Sequence, residues 1–316
     1  MIFVGFGFLM VFLKNNSWCS IGFNYLIACW ALQICILFNG FWHSIMMYHE
    51  DPDFHWHKIH LNYLTLINGD FGAGAVLISF GAILGKCSFF QLWVMATIEV
   101  FFYSLNAEIL LVIFKVFDLG GSMVIHTFGA FFGVSCAIFY QPKAAIEDKY
   151  GMGVGNYLSD LISMCGTLFL FCHWPSFNTA IGAGAAGMHR AIINTYLSIT
   201  SSAIASLIVA KATHKGKLEM EIVLNASLAG AVAVGSACDI IVRPFGAMLL
   251  GFVAGVISSL GFAYLSKYLQ QKFGLHDTCG VLNLHGMPGL IGGFVSAIVA
   301  SRGEGNFGSQ FDYYYT

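Results

Sequence analysis

The sequence predicts an all-α polytopic membrane protein of ten transmembrane helices, built as two five-helix halves in inverted-repeat arrangement around a central pore. Three observations predict it. Of 316 residues, 58% are hydrophobic and 9% charged, against about a quarter charged in a soluble domain, and the mean hydropathy is +0.76. The apolar residues gather in ten runs, at 1–13, 18–41, 62–84, 89–114, 122–140, 158–174, 191–210, 220–238, 245–269 and 281–300. The pattern D-x-x-G-x-x-x-x-H opens two of them, as Asp118, Gly121 and His126 and again as Asp277, Gly280 and His285.

Runs this apolar have to be helices, because lipid offers backbone N–H and C=O groups no other partner. The first, 1–13, lacks the basic segment and small-residue cleavage site of a signal peptide. It reads as a helix entered partway, since a span needs about 20 residues. Basic residues orient the rest. One set of alternate loops holds Lys14, Lys86, Lys143, Lys149, Lys211, Lys215, Lys217, Lys267 and Lys272; the other holds Lys58, Lys115, Arg190, Arg243 and Arg302. The richer set is cytoplasmic, and the amino terminus is outside. The fifth helix then runs inward and the tenth outward. Asp118 stands at the outer surface, Asp277 at the inner one, and the two motif helices are antiparallel, as in halves related by an in-plane pseudo-two-fold axis, about 1–140 and 156–300.

Eight residues of helix rise about 12 Å, so each aspartate places its histidine near the middle of a hydrocarbon layer about 30 Å thick. Ionisable residues at that depth are costly and mark pathways or relays. A single histidine there reads as one satisfied by a backbone carbonyl; two in mirrored places read as a pair at the centre of a pore. Asp118 and Asp277 read both as helix caps and as carboxylates that draw cations to each mouth. Glu99 and Glu108 in the fourth helix, and Asp160 near the inner end of the sixth, are further acids; Glu108, nearer the outer side, reads as facing a vestibule, and the other reading is protonated carboxyls bonded between helices. G-x-x-x-G spacings at Gly81/Gly85, Gly129/Gly133, Gly251/Gly255 and Gly289/Gly293 allow close helix packing without naming a function.

Other chemistries are excluded or left bland. No basic run exists to bind nucleic acid. The nine cysteines show no C-x-x-C spacing, so no zinc site or disulfide framework is expected, and no metal or cofactor is assigned. His43, His49, His55, His57 and His60 crowd the segment between the second and third helices, which reads as a solvated loop without metal-ligand spacing. Sequons at Asn15-Asn16-Ser17 and Asn225-Ala-Ser fall in a cytoplasmic loop and within a span, so neither is expected to be glycosylated.

The stretches MIFVGFGFLM (1–10), GGSMVIHTFGAFFG (120–133), GTLFLFCHWPSFN (166–178), NASLAGAVAVG (225–235) and DTCGVLNLHGMPGLIGG (277–293) resemble the Rh glycoproteins, the animal branch of the ammonium transporter/Rh superfamily. The resemblance covers nearly the whole chain. It implies an eleven-helix bundle, a homotrimer in the plasma membrane, and one narrow pore per subunit passing ammonia. By motif match it makes His126 and His285 the twin pore histidines, and Phe71 and Phe177 a stacked outer gate. Asp118 becomes a structural and recruiting aspartate, with Asp277 its counterpart, and Asp70, Glu108 and Asp160 become vestibule acids. Relative to that pattern the chain lacks an extra amino-terminal helix with its glycosylated loop and, ending at SQFDYYYT, an eleventh helix. The 1–13 segment would span only about 20 Å. The expectation is therefore an incomplete gene model or a truncated isoform, which sequencing of the full transcript tests.

Ammonia, ammonium's neutral form, is the species expected at the centre. Moving the ion into a low-dielectric interior costs on the order of 20 kcal/mol in the Born limit. Removing its proton at pH 7 costs about 3 kcal/mol for a solution pKa of roughly 9. Carbon dioxide, which needs no charge stabilisation, and a non-conducting Rh-type scaffold in membrane lipid are the alternatives. An enzyme is not expected, because two histidines are too few for a typical metal site.

Overall fold

The computed structural model describes residues 2–13, 17–51, 53–56, 58–140, 155–182 and 184–302. Lys14, Asn15, Asn16, His57, Lys143, Lys149 and the SQFDYYYT end lie outside them. Among the described residues, ten helical bodies follow in the expected order: α1 (Ile2–Phe12), α2 (Ser17–Glu50), α3 (Tyr63–Ala82), α4 (Phe89–Ile113), α5 (Ser122–Phe139), α6 (Tyr157–Asn178), α7 (Gly184–Thr213), α8 (Met220–Ala237), α9 (Pro244–Phe273) and α10 (Leu282–Arg302). Among the described residues there is no strand. Eight of these helices are long and apolar enough to cross a membrane; α1 is shorter, and α6 is more polar along its length.

The boundaries differ where a helix leaves the apolar layer. Helix α2 continues to Glu50 instead of stopping at 41, and α7 begins at 184 instead of 191. Hydropathy registers only the lipid-facing part of a helix, whereas the backbone ladder continues into water wherever nothing breaks it. Helix α6 runs through Pro175 to Asn178. Phe177 thus lies in its last turn and not beyond its end, as the sequence suggested.

The surface is apolar and the interior partly polar, the inverse of a soluble protein. Phe139, Tyr157, Trp18 and Phe294 are well exposed, while Ser79, Ser198, Ser202, Ser206 and Thr195 have no accessible surface. These buried hydroxyls have a use. Helix α8, the most enclosed of the spans, is broken after Ala226 and tightens at Gly235–Ala237. Its displaced carbonyls need donors in a medium without water. Thr167 supplies Leu224 O (3.0 Å), Ser202 supplies Ala226 O (2.7 Å), Ser198 supplies Gly230 O (2.7 Å) and Ser122 supplies Val232 O (2.6 Å).

Packing in the first five helices is echoed in the second five. Helix α2 lies on α3 and α4, and α3 on α5; likewise α7 lies on α8 and α9, and α8 on α10. Small residues set these distances. A Cβ at Gly129 would come within 2.6 Å of Ala75 O on α3, and one at Gly255 within 2.7 Å of Ser202 O on α7. The G-x-x-x-G pairs of α5 and α9 are contact points between backbones.

Candidate pore and its histidine pair

The two D-x-x-G segments fold alike. Gly121 and Gly280 have φ of +70° and +65°, a left-handed conformation that a Cβ disfavours, so the fourth motif position is glycine for a backbone reason. Each aspartate then caps from the loop before the helix. Asp118 accepts from Met123 N (3.1 and 3.2 Å) and Val124 N (2.7 Å); Asp277 accepts from Val281 N (3.0 Å) and Leu282 N (2.9 Å). Both helices open with a wide π-type stretch, Ser122–Thr127 and Leu282–Gly286, and each stretch contains the motif histidine. Such stretches occur often at functional sites because they re-aim a side chain that the ordinary helical period would turn away.

Each loop docks onto the opposite set of helices. Gly120 N donates to Gly235 O (2.9 Å) and Ser236 N to Ser122 Oγ (2.7 Å), at the end of α8. Thr278 N donates to Ala82 O and Cys279 N to Gly81 O, both 3.1 Å, at the end of α3. Lys86 closes this second junction, donating to Ala82 O (2.9 Å) and to His276 O. Burial pulls its ammonium down to about 8, against the opposing pull of the Asp277 carboxylate.

The histidines meet. His126 Nδ1 and His285 Nδ1 are 3.2 Å apart, with rings 5.1 Å centre to centre and only 11° from parallel. Their exposures are 1% and 2%. A contact between two ring nitrogens requires one donor and one acceptor. With both rings neutral, the shared proton sits on one Nδ1, and the two Nε2 atoms differ: one carries hydrogen, the other a lone pair. His126 Nε2 is buried without a partner.

Aromatic rings cover the pair on one side. Phe71 and Phe177 lie 5.0 Å apart and are 5% and 8% exposed. They are inclined at 63°, edge to face and not stacked as expected, the arrangement that ring quadrupoles favour. Phe177 is 5.8 Å from the His126 ring. Trp174 is 5.7 Å from His126 and 6.2 Å from Phe177, nearly sealed, with its indole N–H unpartnered. The sequence reading passed over Trp174. Its signal was the W-P-S-F spacing, which sets Trp174 and Phe177 three residues apart on one helix face.

Beyond Phe71 opens a cavity of about 510 Å³, walled by Asn39, His43, Lys58, His60, Glu108 and Asp118 among others. On the other side of the pair, His285 borders a space of only about 20 Å³ among Phe6, Leu9, Met10, Leu77, Ile78 and Leu284. The acids therefore divide. Glu108 lines the large cavity with His43 3.5 Å away. Asp118 touches that cavity but is 3% exposed and is committed to its caps and to Ser236 Oγ, so it is not the open surface carboxylate expected. Asp70, Asp160 and Asp277 are half-buried and line neither space. The histidine-rich segment is also revised. His43 and His49 are on α2, and His43 and His60 wall the cavity. Among the described residues no His, Cys, Asp and Glu group could hold a metal.

A model of the Ammonium Transporter Family matches residues 1–313. The chain belongs to that family. It is a family of membrane transporters and not of enzymes. Among its relatives, Ammonium transporter Rh type C of Xenopus tropicalis is 47% identical over 304 residues, 95% of this chain and 62% of the relative. Ammonium transporter Rh type B of Oryzias latipes is 46% identical over 303 residues, 95% of this chain and 63% of the relative. The chain thus spans less than two thirds of their lengths. The solved Nitrosomonas europaea Rh50, of the Rhesus protein family of channels, superposes with a TM-score of 0.84 at 33% identity, covering 99% of this chain and 79% of that one. A sensor Amt protein at 20% identity and TM-score 0.75, covering 99% of this chain and 83% of its own, shows the shared fold alone.

Proposed function

We propose that this member of the ammonium transporter family conducts ammonia past His126 and His285, with ammonium gathered in the large cavity and deprotonated at the aromatic closure. One observation carries the reading: a buried Nδ1–Nδ1 histidine contact with a free Nε2, directly beneath Phe71 and Phe177. Neutral imidazoles set a hydrogen-bond donor and an acceptor in an otherwise apolar path, which suits a small solute that both donates and accepts. Glu108 supplies a carboxylate in the cavity wall that draws the cation in. Phe71 and Phe177 form the gate, and Asp118 and Asp277 hold the two histidine helices in place. The protein acts in the plasma membrane as a homotrimer with one such path per subunit, and the two five-helix sets are inverted repeats about the histidine pair.

Purified protein in liposomes is the test. An ammonia gradient is expected to change internal pH faster than in empty vesicles, and carbon dioxide supplied in parallel is expected to equilibrate at the empty-vesicle rate. Carbon dioxide flux without ammonia flux would assign the pore to that gas; neither flux would leave a scaffold. Within the same assay, Phe71→Ala is expected to weaken discrimination against larger amines, while Phe71→Leu does so less, because the closure depends on ring area. Equal, wild-type discrimination in both variants at matched amounts counts against the gate.

A further inference from the structure

One acidic side chain is sealed where α4 meets α3 and α5, away from both cavities. Glu99 on α4 has no exposed surface. Its Oε1 meets Ser79 Oγ on α3, and its Oε2 has no partner. Ser79 Oγ also lies 2.7 Å from Gly129 O on α5.

Counting hydrogens decides the charge. Serine has one hydroxyl hydrogen. Gly129 O can only accept, and an ionised Glu99 could only accept, so the two would compete for it. A protonated Glu99 removes the conflict: its O–H donates to Ser79 Oγ, and Ser79 donates to Gly129 O. Surroundings agree. Among the described residues no cation pairs with Glu99, and the titratable group nearby is the Cys136 thiol on α5. An ionised, unpaired carboxylate sealed from water is strongly disfavoured.

The chain of bonds ends one helical turn beyond His126. Gly129 follows it by three residues, and α5 lies against α3 here at backbone contact: Cβ atoms at Gly129 and Gly133 would each come within 2.6 Å of α3 backbone atoms. With so little clearance, the Ser79 bond fixes both the rotation and the axial position of α5. We infer that Glu99 is a protonated hydrogen-bond donor which, through Ser79 and Gly129 O, holds the α5 turn that aims His126 into the pore. It is a positioning residue for the proposed conduction, on which this inference rests, and it relays no proton, since Oε2 has no hydrogen-bond partner to pass one to.

Three variants and one spectrum test it. Glu99→Gln keeps a donor to Ser79 in nearly the same shape and is expected to retain wild-type ammonia flux and wild-type pH dependence. Glu99→Leu removes the donor and is expected to lose flux several-fold at matched protein, with Ser79→Ala showing a similar loss. The infrared spectrum of the wild type is expected to contain a protonated-carboxyl C=O stretch that persists through neutral pH and is absent from Glu99→Gln. No such band, or a band that vanishes near neutral pH, overturns the assignment even if Glu99→Leu fails to assemble. A Glu99→Gln variant that loses flux as Glu99→Leu does, or shifts the pH profile, makes Glu99 a proton carrier instead. Failure of the pore reading shows separately, as wild-type flux in His126→Ala.

Discussion

Replacing His126 with alanine is expected to change ammonia flux by about 5- to 150-fold in the liposome assay, and replacing His285 to do the same. Each ring now satisfies the other's Nδ1 at 3.2 Å in a site with almost no exposure. Removing one leaves the other's Nδ1 buried and unpaired, at a cost of about 1–3 kcal/mol, and removes half of the donor–acceptor set offered to the solute. If that cost appears in the barrier for passage, it gives the factor stated, since about 1.4 kcal/mol is tenfold in rate. The rings are small parts of long helices, so assembly and purification should stay close to wild type. Wild-type flux and selectivity in both variants would refute a path through the pair. His126→Gln should recover part of the loss, because an amide keeps one donor and one acceptor.

The second large effect is on folding. Asp118→Ala is expected to lower stability by about 3 kcal/mol or more, the sum of a lost cap and of donors left without an acceptor in a buried place. Met123 N, Val124 N and Ser236 Oγ all converge on this carboxylate, which is 3% exposed. Because Ser236 belongs to α8, the loss loosens the junction between the two sets of helices as well as the start of α5. Asp277→Ala should be milder, since Asp277 is half-buried and caps two amides. The check is the midpoint of thermal unfolding in detergent, with monodispersity as control. An Asp118→Ala protein with an unchanged midpoint would mean that water or a neighbour replaces the carboxylate, and that its role lies in attracting cations after all.

Particular residues show how far the sequence could be read. His126 and His285 were legible because a costly residue recurred at one depth behind an aspartate and a glycine, and depth along a helix is a matter of counting. The vestibule acids were less legible. Asp70, Asp160 and Glu108 look alike in sequence, yet only Glu108 faces the large cavity, because wall position depends on the rotation of each helix against its neighbours. Phe177 was identified by resemblance and Trp174 by nothing, although the two share one face. With 30 phenylalanines in the chain, composition cannot single out the two whose rings meet. Glu99 read from the sequence only as a further acid in the fourth helix, open to an interhelical bond; its partners, Ser79 and through it Gly129 O, lie on other helices.

By itself, the sequence determined that the chain is an all-helical membrane protein with its described helices in this order, and that two histidines are sunk to matching depths behind capped helix starts. Those properties are local: hydropathy, helical rise and the needs of a helix end all act within one segment. The tertiary structure alone decided which atoms meet. The histidine contact joins residues 159 positions apart, and the wide turns that aim both rings, the edge-to-face meeting of Phe71 and Phe177, and the break in α8 that draws hydroxyls from α5, α6 and α7 are likewise set between segments. In lipid the backbone is satisfied within each helix, so helices can rotate and slide until side chains and small residues lock them. That locking is a property of pairs, and no single run of residues contains it.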